Sequence, residues 1–339
     1  MANDRNAPTR LTMADIARRA GVAESTVSRA LADNPRVAKS TRRRIQQLAA
    51  IAGYTINPVA QSLRSQRTRT ISVAIPLVHE RRQPLSDPFL MNMLAHLADA
   101  LSEHAHSMLL SKVPVHEDGW VDRLLQSGRA DGVILIGQSH EHATIDHAAR
   151  SGLPLVVWGA RMERQAYASI GSDNRCGGEL ATQHLLARGR RRIAFLGDER
   201  LPEVGHRHEG YARALAQAGL KVDPRLSMRT HFSAHDAYLA AMRLIARSPR
   251  LDAVVAASDV IAASTLRALL ESGRRVPHDV AVVGYDDTEM ASYTSPPLTT
   301  VRQDVARGAA LLVERVLSGR ATAADSVEMS PELQVRAST

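Results

Sequence analysis

Within six residues this sequence sets out Glu24, Ser25, Ser28 and Arg29, side chains that hydrogen-bond but do not pack. They stand at i, i+1, i+4 and i+5, so on a helix they share one face, while Val27, Ala30 and Leu31 share the other. A carboxylate, two hydroxyls and a guanidinium on one outward face can both accept from and donate to a polar surface. That chemistry reads hydrogen-bonding edges; it does not by itself break bonds.

The neighbouring segments are the ones that must position this face. Thr12 reads as a helix cap, with Asp15 where a carboxylate favours the positive helix end. Met13, Ile16, Ala17 and Ala20 then fall at i, i+3, i+4 and i+7, one apolar stripe that Gly21 ends. A third helix is expected from about Ser40, packing through Ile45, Leu48, Ala49 and Ala52 and stopping at Gly53. Arg42, Arg43 and Arg44 are expected on its outside, for phosphates or for solvent. Two short helices around a Gly turn, the second with a polar outer face, fit a helix-turn-helix. A three-helix module for protein contact shares the same periodicity.

The segment after Gly53 favours the helix-turn-helix. Asn57 is a good N-cap and Pro58 a good first helical residue, yet that helix runs only about eight residues. It falls below the roughly 12–15 residues an isolated helix needs in water, so it is expected to order only when something supports it. Charge points the same way. Residues 1–70 hold 13 Lys/Arg against 4 Asp/Glu, a net +9, whereas the whole chain is +8. A basic head on a nearly neutral body suits a polyanion bound by the head; a solvated basic face is the plainer reading.

Composition excludes several classes. With 44% apolar residues the 339-residue chain can bury a large core, in about two or three domains. There is no apolar run long enough for a transmembrane helix and no signal-peptide pattern at the N-terminus, so a cytoplasmic protein without a membrane role is expected. Cys176 is alone and forms no intrachain disulfide. His79-Glu80-Arg81-Arg82 and the other histidines match no metal-ligand spacing. G-x-S-x-G, P-loop and G-x-G-x-x-G strings are absent. No enzyme, cofactor or metal is expected.

From Thr70 onward short β-rich runs alternate with helical stretches. Strands are expected at Ile71–Pro76, Ser107–Val113, Gly132–Gly137 and Pro154–Trp158, then at Arg192–Gly197, Leu226–His231, Ala253–Ala257 and Val280–Gly284. Helices are expected between them, near 91–103, 119–126, 142–151, 175–188, 206–218, 234–246 and 262–272. Two successive sets of βα units predict two doubly wound parallel sheets, with a ligand pocket beyond the carboxyl ends of their strands.

The string Leu11-Thr12-Met13-Ala14-Asp15-Ile16-Ala17-Arg18-Arg19-Ala20-Gly21-Val22-Ala23-Glu24-Ser25-Thr26-Val27-Ser28-Arg29-Ala30-Leu31 resembles the headpiece of the LacI/GalR repressor family, and Tyr54–Leu63 resembles its hinge helix. The likeness continues to about residue 318 through Gly171-Ser172-Asp173-Asn174, Gly177-Gly178, His184-Leu185, Val283-Gly284-Tyr285-Asp286-Asp287 and Pro296-Pro297-Leu298-Thr299-Thr300-Val301. It implies an α/β fold: a three-helix DNA-binding domain and hinge helix, then two subdomains of periplasmic-binding-protein type. The expected division is a flexible tail at 1–9, the helix-turn-helix domain at 10–55, hinge and linker at 56–69, and the ligand-binding and dimerisation domain at 70–339. Within the last, the N-subdomain is expected at 70–171 and 302–325, the C-subdomain at 172–300 and 326–339.

The resemblance also implies roles. Arg29 would donate to guanine O6 and N7, Glu24 would accept from cytosine N4, and Ser25 would meet a base edge or a phosphate. Thr26, Ser28, Asn34 and the Arg42–Arg44 run would hold phosphates, with Thr12, Asn57 and Ala60 completing the DNA-contacting set. Leu63 would be the apolar wedge that kinks the minor groove. Ala23 stands where the family usually has a capping Ser.

In the body, Asp286 and Arg207 match the carboxylate and arginine that grip ligand hydroxyls, and Phe89 and Trp158 are candidates for stacking on a sugar or for simple core packing. Ser258 and Gly159 depart from the asparagine and aspartate that some sugar-binding relatives carry there. The expectation is a homodimeric repressor released from a palindromic operator in double-stranded DNA by a small sugar. Met329–Thr339 has no leucine heptads for a tetramer. A nucleobase or sugar acid acting as corepressor, and a cytoplasmic solute-binding protein, remain the alternatives.

Overall fold

The computed structural model describes residues 12–54, 67–77, 84–114, 119–139, 141–319 and 321–339. The chain divides into two compact units between Thr68 and Arg69. The hinge positions Asn57, Ala60 and Leu63, and the His79–Arg82 string, lie outside the described residues. No helix among the described residues is long and apolar enough to cross a membrane.

The first unit is built of α1 (Met13–Ala20), α2 (Glu24–Leu31) and α3 (Lys39–Ile51). Thr12 and Asp15 close a reciprocal capping box at the start of α1, and Gly21 ends it in the left-handed conformation, φ 61°. Ile16, Ala17, Ala20, Val27, Ala30, Val37 and Ile45 form its small core. A core of this size needs polar ties as well. Arg44 donates to the Ala20 carbonyl, Gln46 to the Ala30 carbonyl, and Arg42 to the Asp33 carbonyl at 3.0 Å. Arg42 also pairs with the Asp33 carboxylate at 2.9 Å. Of the expected outward triplet Arg43 and Arg44 are exposed and Arg42 is half-buried, and Arg42 and Arg44 also hold α3 to the helix-turn-helix.

The second unit contains two six-stranded sheets. The first is formed by β1 (Thr70–Leu77), β2 (Ser107–Pro114), β3 (Gly132–Ile136), β4 (Leu155–Trp158) and β5 (Ala168–Ser172), joined by β11 (Val327–Met329), in the order β11-β5-β4-β3-β1-β2 with every pairing parallel. Helices α4 (Pro88–Glu103), α5 (Trp120–Gln126) and α6 (His142–Ala149) connect its strands. The second comprises β6 (Ile193–Leu196), β7 (Ser227–Met228), β8 (Ala253–Ala256), β9 (Ala281–Asp286), β10 (Thr299–Arg302) and β12 (Glu332–Gln334), in the order β12-β10-β9-β8-β6-β7. Only β12 runs antiparallel. Its flanking helices are α7 (Asn174–Ala187), α8 (Pro202–Gln217), α9 (Ala234–Arg247), α10 (Asp259–Glu271) and the short α11 (Glu289–Tyr293).

The strand burial explains the sequence pattern. β3, β4, β6 and β8 are buried at every position because helices cover both faces, so they read as continuous apolar runs rather than alternating ones. The expected strand 226–231 shrinks to Ser227–Met228, since Asp223 and Pro224 set a 3-10 turn at its start. The chain crosses between the sheets three times. After β10 it returns as α12 (Val305–Leu317), whose Val305, Ala309, Leu312, Val313 and Val316 pack into the first core with Trp158. Thr299–Arg302 belongs to the second sheet and Val327–Met329 to the first, so the expected placing of 326–339 wholly in the second lobe is corrected: the last crossing falls between Met329 and Glu332.

Helices α7 and α8 approach closely enough that a Cβ at Gly178 would overlap the Arg207 carbonyl, and one at Gly210 the Arg175 carbonyl. Gly210→Ala should therefore cost about 1–3 kcal/mol, lowering the melting temperature of the purified chain by about 2–4 °C per kcal/mol. An unchanged melting temperature would show that the helices do not touch there.

Candidate functional site

Two places gather the expected residues. On α2, Glu24, Ser25 and Arg29 are exposed, Thr26 and Ser28 are half-buried, and Val27 and Ala30 face inward. The helix starts at Ala23 with no side-chain bond to its first turn, so its N-terminal donors are left for solvent or for a ligand. Thr12 is exposed, but its hydroxyl is already bonded to Asp15 at 2.7 Å. Asn34 uses its side-chain oxygen to accept from the Arg36 N–H at 2.9 Å, holding the turn after α2 with a bond that does not engage its amide hydrogens.

The second place is a cavity of about 770 Å³, open mouth included, in the second unit. Phe89, Trp158, Arg207, Ser258 and Asp286 all line it. They arrive from strand ends and helix starts of both sheets: Trp158 ends β4, Asp286 ends β9, Ser258 precedes α10, Phe89 opens α4, and Arg207 lies in the second turn of α8. That is the position at which an open α/β sheet leaves room for a ligand.

Arg207 is buried, and its geometry is set on three sides. Nε donates to the Asn174 amide oxygen at 2.8 Å, Nη1 donates to the Ala257 carbonyl, and the guanidinium lies 3.6 Å from the centre of the Tyr285 ring. The Asp286 carboxylate accepts from Gln303 Nε2 at 2.7 Å. Burial pushes the Asp286 carboxyl well above the usual range, while the Arg207 charge opposes the rise. Its backbone is left-handed, φ 112°, as is that of Asp287, φ 51°. What holds this bend is beside it: the Asp287 carboxylate takes Arg302 at 2.8 Å and Arg336 at 2.6 Å, and buried Asp259 accepts from the Thr288 N–H at 2.7 Å.

Trp158 belongs to the core and to the cavity wall. It lines the cavity, yet its ring edge fills the space beside Gly308 and stands 6.1 Å from the Phe89 ring. Ser258 lines the cavity too, but its oxygen accepts from the Ile261 N–H as the cap of α10, which leaves its hydrogen and one lone pair to offer. Gly159 contributes no side chain; Gln138 occupies the room a Cβ there would need.

Sequence reasoning missed Asp87, Glu203, Phe232 and Gln303 in the lining. Two of these carried a signal. Glu203 precedes Arg207 by four residues, hence on the same helix face, and Asp87-Pro88 is a cap followed by a first-turn proline. Gln303 and Phe232 follow strands in loops, where periodicity gives no direction.

Comparison with known proteins agrees with this geometry. Residues 12–57 match the family described as bacterial regulatory proteins, lacI family, and residues 182–339 match the periplasmic binding protein-like domain. The chain is 35% identical over 341 residues, covering 97% of itself and 98% of the relative, to the HTH-type transcriptional regulator CelR of Thermobifida fusca. It belongs to the lacI family. Among solved structures it is similar to a transcriptional regulator CelR–cellobiose complex (30% identity, TM-score 0.69, covering 97% of this chain and 100% of that one). It is also similar to the lac repressor dimer bound to operator and an anti-inducer (26% identity, TM-score 0.84, covering 98% and 99%). As a lacI-family member with this helix-turn-helix, the chain is a DNA-binding transcription regulator whose two-sheet body is of the periplasmic-binding type.

Ala23→Ser should supply the missing cap of α2, stabilising the headpiece by about 0.5–2 kcal/mol in hydrogen exchange of α2 amides. Asp286→Asn should stabilise the ligand-free body. Unfolded carboxyls titrate near 4, and Asp286 titrates higher when folded. As pH rises between those two values the unfolded state ionises first, so folding stability falls. The gain from Asp286→Asn should therefore be larger at pH 8 than at pH 5; a gain that grows toward acid pH would contradict the burial argument.

Proposed function

We propose that this regulator is a homodimeric repressor that reads a near-palindromic operator and releases it when a small sugar fills the cleft. The observation that carries the reading is the cavity, in which one buried guanidinium, one buried carboxylate and the aromatic rings of Phe89 and Trp158 come together. A guanidinium donates and a carboxylate accepts, which together match adjacent hydroxyls, and an aromatic ring covers the apolar face of a pyranose. The similarity to a CelR–cellobiose complex supports the same ligand class, and that to the operator-bound lac repressor dimer supports the assembly and the DNA.

In this reading each α2 enters a major groove of one half-site, with Arg29 on a guanine and Glu24 and Ser25 beside it. Thr26, Ser28, Asn34 and Arg43 hold the phosphates that set register, and Arg42 and Arg44 act by holding α3 in place. Sugar in the cleft changes the relation between the lobes across the three strand crossings, and an allosteric coupling of about 1–3 kcal/mol suffices for release. The protein acts on cytoplasmic DNA and turns over no substrate.

Selection from a random-sequence DNA pool with the purified full chain tests the DNA half of this function and should enrich one palindrome. Arg29→Ala should then cost about 1–3 kcal/mol on that palindrome and relax one base position. Equal losses on palindrome and random DNA would demote Arg29 to a phosphate contact, and no enriched sequence would refute an operator-specific repressor.

A further inference from the structure

The cavity holds one acidic side chain that the pairing of Arg207 with Asp286 does not need. Glu203 is the second residue of α8, one turn before Arg207, and it lines the same cavity. Its Oε1 is shut off from solvent and has no hydrogen-bond partner. A buried acceptor in that state costs about 1–3 kcal/mol unless something fills it. The sheet side of α8 buries Val204, Gly210, Tyr211, Ala214 and Leu215 without using the carboxylate, which faces the backbone N–H groups of Glu203 and Gln138 instead. Burial raises the Glu203 carboxyl above its ordinary range, with backbone N–H groups and Arg207 opposing.

The rest of the lining sharpens the point. Among the described residues the charged groups on the cavity wall are Asp87, Glu203, Arg207 and Asp286, three carboxyls to one guanidinium. Asp87 is partly spent, its Oδ1 accepting the Phe89 and Leu90 N–H groups at 3.0 and 3.2 Å. Arg207 is likewise spent at Nε and Nη1. A phosphate or carboxylate entering here would find a single guanidinium to answer its charge, beside three carboxyl groups that burial already pushes up. A hydroxyl or an ammonium would find acceptors. Aromatic walls, Phe89, Trp158 and Phe232, suit the apolar face of a neutral ring and the charge of a protonated amine alike.

Resting on the reading of this cavity as the effector site, we infer that it takes a neutral or amine-bearing polyhydroxyl ligand and rejects phosphorylated and carboxylated ones, with Glu203 setting that preference. The sugar-acid alternative drawn from sequence is thereby disfavoured. Glu203 acts on the ligand directly: its unpaired oxygen offers an acceptor to a hydroxyl or ammonium hydrogen, whereas an anionic group at the same spot would be buried beside it without a compensating donor.

The test uses the intact chain and the intrinsic fluorescence of its tryptophans, of which Trp158 lies on the cavity wall. Glucose, galactose, mannose and ribose, the disaccharides cellobiose and lactose, and cytidine are each titrated alongside their available amino, phosphate and acid forms. The neutral or amino form should bind at least about ten-fold more tightly than its anionic counterpart, a modest share of the cost of burying an anion without a partner. Glu203→Gln keeps the shape and should shrink that ratio several-fold. If Glu203 served only to stabilise the start of α8, the variant would change all affinities together and leave the ratio alone. An anionic form binding as well as its neutral parent overturns the inference while leaving the effector site standing. Binding of cytidine but no sugar, with the charge ratio intact, overturns the sugar reading and leaves this inference standing. A panel from which nothing binds counts against both. Should Glu203→Gln fail to fold, the ratios measured on the unaltered chain still decide whether anions are rejected.

Discussion

The structure of the body turns on one buried cation. Arg207 cannot give up its charge, so every group around it is arranged to make that charge tolerable: the Asn174 amide, the Ala257 carbonyl, the Tyr285 ring face and the Asp286 carboxylate close by. Asn174 opens α7 and Ala257 follows β8, and α7 can bring its amide to an arginine of α8 only because the two helices touch through glycine. Gly177 lies against Tyr285, Gly178 against the Arg207 backbone and Gly210 against Arg175. Larger side chains at these positions would move the guanidinium off its partners. Packing between two helices is thus what places the donor in the cleft.

Around it the site is assembled from strand ends that are far apart in sequence. Asp286 projects from a backbone bend that costs energy and is kept in place by Asp287, Arg302, Arg336 and Asp259. Arg336 reaches this bend from the tail beyond β12, and Ser338 and Thr339 bond Val282, Thr299 and His184. The end of the chain therefore clamps the second lobe, while α12 belongs to the first. A body in which the chain passes three times between lobes can move as two rigid parts about short crossings, and a ligand touching both parts biases their relation. In the first unit the same economy appears on a smaller scale: with few apolar residues available, three side chains of α3 close the fold by donating to carbonyls of the loops and helices they cross.

Much of this is legible in the sequence, and the pattern of what is not is physical. The capping box at Thr12, the turn at Gly21 and the split faces of α2 depend on near neighbours in sequence, and they stand where the residues put them. The central strands show as short apolar runs. Less visible are β5, with its small residues, and β11 and β12, three residues each, whose existence rests on pairing with distant strands. The division of the last residues between lobes was misplaced for the same reason. Helix α12 does carry a stripe, Val305, Ala309, Leu312, Val313 and Val316, but it stands outside the run of βα repeats that organises the rest of the body. In the cleft, resemblance led to Arg207, Asp286, Phe89, Trp158 and Ser258, whereas Glu203 and Asp87 needed the fold to show which way they face. Arg44 is exposed as expected, yet both it and the half-buried Arg42 hold carbonyls outside their own helix, because an arginine's reach is something helical periodicity does not record.

Coupling between the cleft and the DNA-reading helix is the central claim, and one measurement addresses it directly. Operator selected by the full chain is labelled, and its occupancy is followed by fluorescence anisotropy while sugars, beginning with cellobiose, are added to the unaltered protein and to Arg207→Ala. Release of operator by one sugar from the unaltered protein, with the variant still bound at the same concentration, is the result that coupling predicts. Release that is identical in the variant, or an occupancy that no cleft-binding ligand changes, would contradict it.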